Sequence, residues 1–122
     1  MTAVQILRIG ILFSLLYVLI GAFGAHALED QIADKIDTFN TAKEYHIIHS
    51  IALILTGLLS RMFHKDLSKA AYSFVFGLLF FSGSLYLISI LKLSLGILTP
   101  LGGVGFIIGW ALLIYYSYNF KN

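Results

Sequence analysis

The chain contains no cysteine, which excludes disulfides and every metal site built on thiolates. Its only proline is Pro100, so punctuation falls mostly to glycine. Charge is scarce as well: Asp, Glu, Lys and Arg make up 11% of the 122 residues, against 59% hydrophobic residues. A soluble domain is about a quarter charged, and a globule this small has too few polar groups to cover so much apolar surface. The surroundings of the folded chain must therefore be lipid, and the bilayer is its first partner. The net charge of +2 is small and its basic residues are dispersed, which argues against nucleic acid as a partner. HExxH, GxSxG, Walker and Rossmann fingerprints are absent too.

What is present is a set of four apolar runs. A spanning helix needs about 20 predominantly apolar residues, and residues 5–24, 46–63, 70–91 and 103–120 each supply such a run. The pattern predicts an all-α membrane protein, a single integral membrane domain over residues 1–122 with four transmembrane helices in a bundle. Arg8, the run behind it and the Ala25-His26-Ala27 triplet mimic a secretory signal. The run is longer than a signal core, so a retained helix is expected. In the one long connection, residues 25–45, Leu28, Ile32, Ile36 and Phe39 fall at helical spacing with acidic residues between them. That predicts a short amphipathic surface helix between the first and second spans.

Four spans put the N-terminus, the 61–69 loop and the C-terminus on one side. Arg8, Arg61, Lys65, Lys69 and Lys121 lie there, against Lys35, Lys43 and Lys92 opposite. This excess predicts cytoplasmic termini and a multi-pass protein of the cell membrane. Glu29, Asp30, Asp34, Asp37 and Glu44 lie on the outer side and, with Lys35 and Lys43, give residues 29–44 a net charge of −3.

The polar residues gather near that outer side. His26 follows the first run, Tyr45, His46 and His49 open the second, and Thr99 belongs to a predicted turn, Thr99-Pro100-Leu101-Gly102-Gly103. In the third run Ser82 and Tyr86 lie about 18 and about 24 Å from the inner end at helical rise. His26, Tyr45, His49, Ser82, Ser84, Tyr86 and Thr99 form the candidate ligand-binding cluster. Ser82 and Ser84 are expected to bond carbonyls of their own helix. Gly105 and Gly109 make a GxxxG pair, while Gly21 with Ala25 and Ser73 with Gly77 are small-xxx-small pairs; all read as close helix packing. Trp110, near mid-span, is expected between helices with an acceptor for its N–H. Tyr115, Tyr116, Tyr118 and Phe120 read as an interfacial belt, and His64 as a solvated loop residue.

The histidines allow two readings. His46 and His49 share a helix face, and with His26 and Glu29 or Glu44 a zinc set can be drawn. The structural reading is favoured, because an interfacial imidazole commonly bonds a neighbouring carbonyl or acid. His26 then ties the first helix to the loop, and His49 bonds across helices. No acid lies within a span, so a proton relay lacks its second half. Ser50 follows His49 directly, and adjacent helical residues do not face each other. No catalytic residue and no cofactor is expected.

Five stretches recur in a recognisable order: Gly21-Ala22-Phe23-Gly24-Ala25-His26, then Thr41-Ala42 with Tyr45 and His49, then Phe81-Ser82-Gly83-Ser84-Leu85-Tyr86, then Thr99 to Gly103, then Gly109-Trp110. Together they resemble the small bacterial membrane proteins grouped as domain of unknown function 423, relatives of the eukaryotic transmembrane protein 256. The resemblance covers nearly the whole chain. It implies a four-helix multi-pass membrane protein and carries with it no reaction, cofactor or substrate. Such relatives commonly have Gln where this chain has His46, which makes His26 and His49 the stronger candidates for a ligand's role. The sequence favours a non-enzymatic binding or transport module for a small solute or ion. An accessory or assembly subunit of a larger membrane complex, or a homo-oligomer, is the alternative, and a histidine metal site on His26 and His49 comes third.

Overall fold

The computed structural model describes residues 1–121, the side chain of Ala25 excepted. Helix α1 runs Ala3–His26, opened by a capping box in which Thr2 accepts from the Gln5 amide and the Gln5 side chain accepts from the Thr2 amide. A one-turn helix α2, Glu29–Ile32, and a 3₁₀ turn, Ala33–Lys35, lead into α3, Ile36–Phe63. Next come α4, Ser68–Gly77, a π-helical turn, Leu78–Ser82, and α5, Gly83–Leu91, which together make one 24-residue segment. Helix α6 spans Leu98–Ser117. Among the described residues there is no strand, and four segments are long and apolar enough to cross a membrane.

Two boundaries differ from the sequence expectation. The second span was expected from residue 46, yet α3 begins at Ile36 and is 28 residues long, about 42 Å against a hydrocarbon core of about 30 Å. Its buried stripe Phe39, Ala42, His46, His49, Leu53, Thr56 and Ser60 keeps helical spacing throughout, and neither glycine nor proline interrupts it before Gly57. The predicted amphipathic helix therefore shrinks to α2 and the 3₁₀ turn, with Ile36 and Phe39 absorbed into α3. The fourth span was expected from residue 103, yet α6 starts at Leu98. Pro100 sits in its first turn, where a missing N–H costs no helical bond. The Thr99–Gly103 stretch is thus helix rather than turn.

Both ends of the bundle are tied. At one end the Met1 ammonium donates to Ser68 Oγ at 3.2 Å, and the Phe63 and Phe120 rings stack at 4.3 Å. The N-terminus, the α3–α4 loop and the C-terminus therefore share that side. At the opposite end Lys92 Nζ donates to the Gln31 and Ser89 carbonyls and pairs with Asp34. This clamps α2 and the 3₁₀ turn onto the end of α5. His64 and Lys92 end α3 and α5 in the left-handed region.

Small residues set the helix spacing. A Cβ on Gly57 would lie 2.8 Å from the Leu7 amide nitrogen, and one on Gly10 would lie 2.7 Å from that of Ile54, so α1 and α3 touch backbone to backbone. A Cβ on Gly105 would lie 3.1 Å from the Ser73 carbonyl and 3.1 Å from the Gly77 nitrogen; one on Gly109 would lie 2.6 Å from the Phe74 ring. The GxxxG face of α6 is thereby spent on the small face of α4. Gly21 faces the Lys43 side chain, and Ala25's side chain lies outside the described residues. Ile6, Leu53, Leu67, Phe74, Leu78, Phe106 and Leu113 fill the main core. Ile32, Phe39, Ala42 and Tyr86 form a second cluster at the end away from the termini.

Candidate functional site

The π-helical turn is the irregularity around which the half of the bundle away from the termini is built. The Gly83 amide donates to the Leu78 carbonyl, five residues back, and such widened turns recur at functional positions. The first turn of α6 presses on this bulge. A Cβ on Gly102 would lie 2.6 Å from the Phe80 carbonyl carbon and 2.7 Å from Phe81 Cα, so only glycine lets α6 approach. Elsewhere the buried helical hydroxyls find a carbonyl: Ser50 donates to His46 at 2.7 Å and Thr56 to Ala52 at 2.7 Å, each one turn back, and Ser60 donates forward to Lys65 at 2.6 Å. Ser82, at the end of the π turn, does not. Its hydroxyl is the only buried side-chain polar atom without a partner among the described residues, and the residue is 2% exposed. The expectation of a carbonyl within its own helix fails at Ser82, because the widened turn displaces the usual acceptor.

Ser82 lines a cavity of about 130 Å³ between α1, α3 and the π turn. That is the liquid volume of about four water molecules. His46 and Tyr86 line it too, among Phe13, Leu16, Ile20 and Leu78, but their polar atoms bond each other and the Phe13 carbonyl, so the wall presented to the cavity is almost wholly apolar and carries no charged side chain. His46 lies 2.8 Å through Nε2 from the Phe13 carbonyl and 2.8 Å through Nδ1 from the Tyr86 hydroxyl. A carbonyl only accepts, so Nε2 carries the proton and the tyrosine donates to Nδ1 in the neutral ring. The rings of Phe13, Tyr17 and Tyr86 meet His46 edge-on at 6.1, 5.8 and 5.7 Å.

His49 takes the opposite tautomer. Its Nδ1 donates to the Tyr45 carbonyl at 2.8 Å, and its Nε2 accepts from Trp110 at 3.1 Å. Trp110 so finds the acceptor its position requires. The His49 ring stacks on Phe106 at 3.5 Å. His46 and His49 therefore face different neighbours, the first α1 and α5, the second α6. Their HxxH spacing does not converge on a point. No cluster of three or more His, Cys, Asp or Glu side chains able to hold a metal occurs among the described residues. His26, the last residue of α1, is exposed and without a hydrogen-bond partner among the described residues.

The remaining sequence candidates divide. Ser84 Oγ lies 2.6 Å from Thr99 Oγ1 and donates to the Phe81 carbonyl at 2.9 Å, joining α5 to the first turn of α6. Tyr45 packs at a tilt on Phe81, ring centres 4.4 Å apart, and lines, with His49 and Trp110, a separate groove of about 520 Å³. The structure thus brings Ser82 and Tyr86 together around a void, pairs Ser84 with Thr99 and His49 with Trp110, and leaves His26 apart. His46, ranked below His26 from the sequence, is the histidine at the cavity. Its place on the 3–4 stripe of α3 is the signal that pointed there. Gly10 and Gly57 were not singled out beforehand, Gly102 was assigned to a turn rather than to helix packing, and the π turn has no sequence signature.

Residues 20–103 match the family model described as protein of unknown function (DUF423). A UPF0382 membrane protein of Staphylococcus epidermidis is 40% identical over 116 residues, covering 93% of this chain and 95% of the relative. The UPF0382 membrane protein YwdK of Bacillus subtilis is 39% identical over 110 residues, covering 87% of this chain and 89% of the relative. No solved structure matches.

Proposed function

Because the chain belongs to the DUF423 family of membrane proteins, we propose that it is a non-enzymatic module that binds and passes a small, neutral, polar solute in the outer half of its helix bundle. The observation that carries this reading is the Ser82 hydroxyl, buried without a partner at the wall of a cavity. A buried hydroxyl left unbonded costs about 1–3 kcal/mol, and a rotation of the Ser82 side chain that turns it into the cavity would let a ligand bond it and recover that cost. The cavity volume limits the solute to a few heavy atoms. The absence of lining charges and the satisfied neutral ring of His46 favour a neutral solute over an ion.

We place both termini in the cytoplasm on the excess of Arg8, Arg61, Lys65, Lys69 and Lys121 over Lys35, Lys43 and Lys92. Ser82 then lies nearer the outer leaflet. The alternative of an accessory subunit loses one of its supports, since the GxxxG face is already occupied by α4.

The test is stopped-flow uptake of urea, glycerol and formamide by proteoliposomes, with wild type beside Ser82→Leu, whose larger side chain fills the cavity. Flux above that of empty liposomes, lost in the variant, supports the reading. Flux equal to that of empty liposomes for all three solutes removes it.

A further inference from the structure

A second cavity, of about 410 Å³, opens at the outer end between α1 and the first turns of α3, beneath α2 and the 3₁₀ turn. Two opposite charges line it, Lys43 and Glu29, with the amide of Asn40 as its third polar side chain. They do not pair: the only ion pair among the described residues joins Lys92 and Asp34. The Lys43 side chain lies against Gly21, where a Cβ would come 3.6 Å from Cε, and its ammonium stands 5.7 Å from the centre of the Tyr17 ring and 6.0 Å from that of Phe39. Phe39 in turn lies on Gly24, where a Cβ would come 2.5 Å from Cζ. The two glycines of the GAFG stretch thus make room for an aromatic floor and for a half-buried cation. Ile32, Ala33 and Ile36 supply an apolar wall.

We propose that this cavity holds a zwitterionic phosphoethanolamine headgroup of a membrane lipid, its phosphate on Lys43 and its primary ammonium on Glu29. Neither charge alone explains the site. A purely anionic headgroup meets Glu29 inside a segment, residues 29–44, whose net charge is −3, and a simple cation meets the Lys43 ammonium. A ligand carrying both charges satisfies both walls, and like-charge contacts are what exclude the others. The cavity lies where helices leave the hydrocarbon core, the depth of lipid headgroups, where an ammonium and a lipid phosphate attract as opposite charges. Gly21, about 7.5 Å below the end of α1 at helical rise, is the lining residue through which a tail passes into the bilayer. The proposal is independent of the Ser82 cavity.

Native mass spectrometry of the detergent-solubilised full chain, titrated with phosphatidylethanolamine, phosphatidylglycerol and phosphatidylcholine, tests it. Wild type is expected to retain the ethanolamine lipid at least about tenfold more tightly than the other two, because the choline group has no N–H to give Glu29. Lys43→Gln weakens retention of all three lipids, since each loses the partner of its phosphate, while Glu29→Gln removes the preference over the choline lipid and shifts retention towards phosphatidylglycerol. Equal retention of all three lipids by wild type, or an unchanged preference in Glu29→Gln, or unchanged retention in Lys43→Gln, overturns the proposal. Soluble O-phosphoethanolamine serves as a separate arm: saturable binding of it with no lipid adduct assigns the cavity to a free zwitterion and overturns the lipid source.

Discussion

Two serines two residues apart should respond in opposite directions to the loss of a hydroxyl. Ser84→Ala removes the Oγ that bonds Thr99 at 2.6 Å and Phe81 at 2.9 Å. Interhelical hydrogen bonds in membranes contribute about 0.6 kcal/mol on average and at most about 1.7, so this variant should lose roughly 0.6–1.7 kcal/mol. Ser82→Ala removes a hydroxyl that is 2% exposed and unbonded. The lost group contributed an uncompensated burial of about 1–3 kcal/mol, partly relieved where the denatured chain also lacks water. The alanine variant should be as stable as wild type or gain up to about 1 kcal/mol. The chain has a single tryptophan, which makes Trp110 fluorescence during SDS titration a direct reporter of unfolding. At about 4 °C per kcal/mol for a domain of this size, thermal midpoints should separate the two variants by several degrees. A Ser82→Ala protein that loses as much stability as Ser84→Ala would refute the reasoning, because it would mean that Ser82 is bonded in the fold.

Further outcomes follow from the same geometry. Gly102→Ala puts a methyl group into the Phe80–Phe81 backbone and should lower the SDS midpoint by about 1–3 kcal/mol. Gly83→Ala, whose Cβ meets only the Leu78 carbonyl at 3.7 Å, should be neutral or gain up to about 1 kcal/mol of helix propensity. Trp110→Phe leaves His49 Nε2 without its donor and should cost about 0.6–1.7 kcal/mol, read by far-UV circular dichroism in SDS because the fluorophore is gone. Hydrogen bonds from the Ser68 hydroxyl and amide hold the Asp66 carboxyl below its usual range. The stability from that contact is present above about pH 4 and is lost as the pH falls through the depressed value. Amide exchange at residues 66–70 should therefore quicken on acidification below about pH 4 relative to the intrinsic rate, and Asp66→Asn should abolish that step.

The sequence made the bundle legible because the lipid requirement acts on composition: four runs of sufficient length, few charges and small residues at four-residue spacing leave little choice. The close approach at Gly105, on Ser73 and Gly77, and at Gly109, on the Phe74 ring, follows from spacing alone. The boundaries were less legible. Acidic residues between Leu28 and Phe39 suggested a surface helix, but the hydrophobic stripe continues unbroken into α3, and nothing local breaks the backbone there. Pro100 suggested a turn and instead sits in a first helical turn. The cluster was placed in the right third of the molecule, while its wiring was not visible. Which serine pairs and which stays alone depends on a π turn packed against Gly102, a tertiary contact. His46 was discounted by comparison with glutamine-bearing relatives, yet its position among Phe13, Tyr17 and Tyr86 makes it the imidazole at the cavity.

The most direct measurement is ¹⁵N NMR of the two buried histidine rings, in wild type and Ser82→Leu, with and without the solute that shows flux. The account predicts opposite neutral tautomers, a proton on Nε2 of His46 and on Nδ1 of His49, and a solute-dependent shift of the His46 signals alone that vanishes in Ser82→Leu. A shared tautomer, or solute shifts at His49 that leave His46 unmoved, would contradict it.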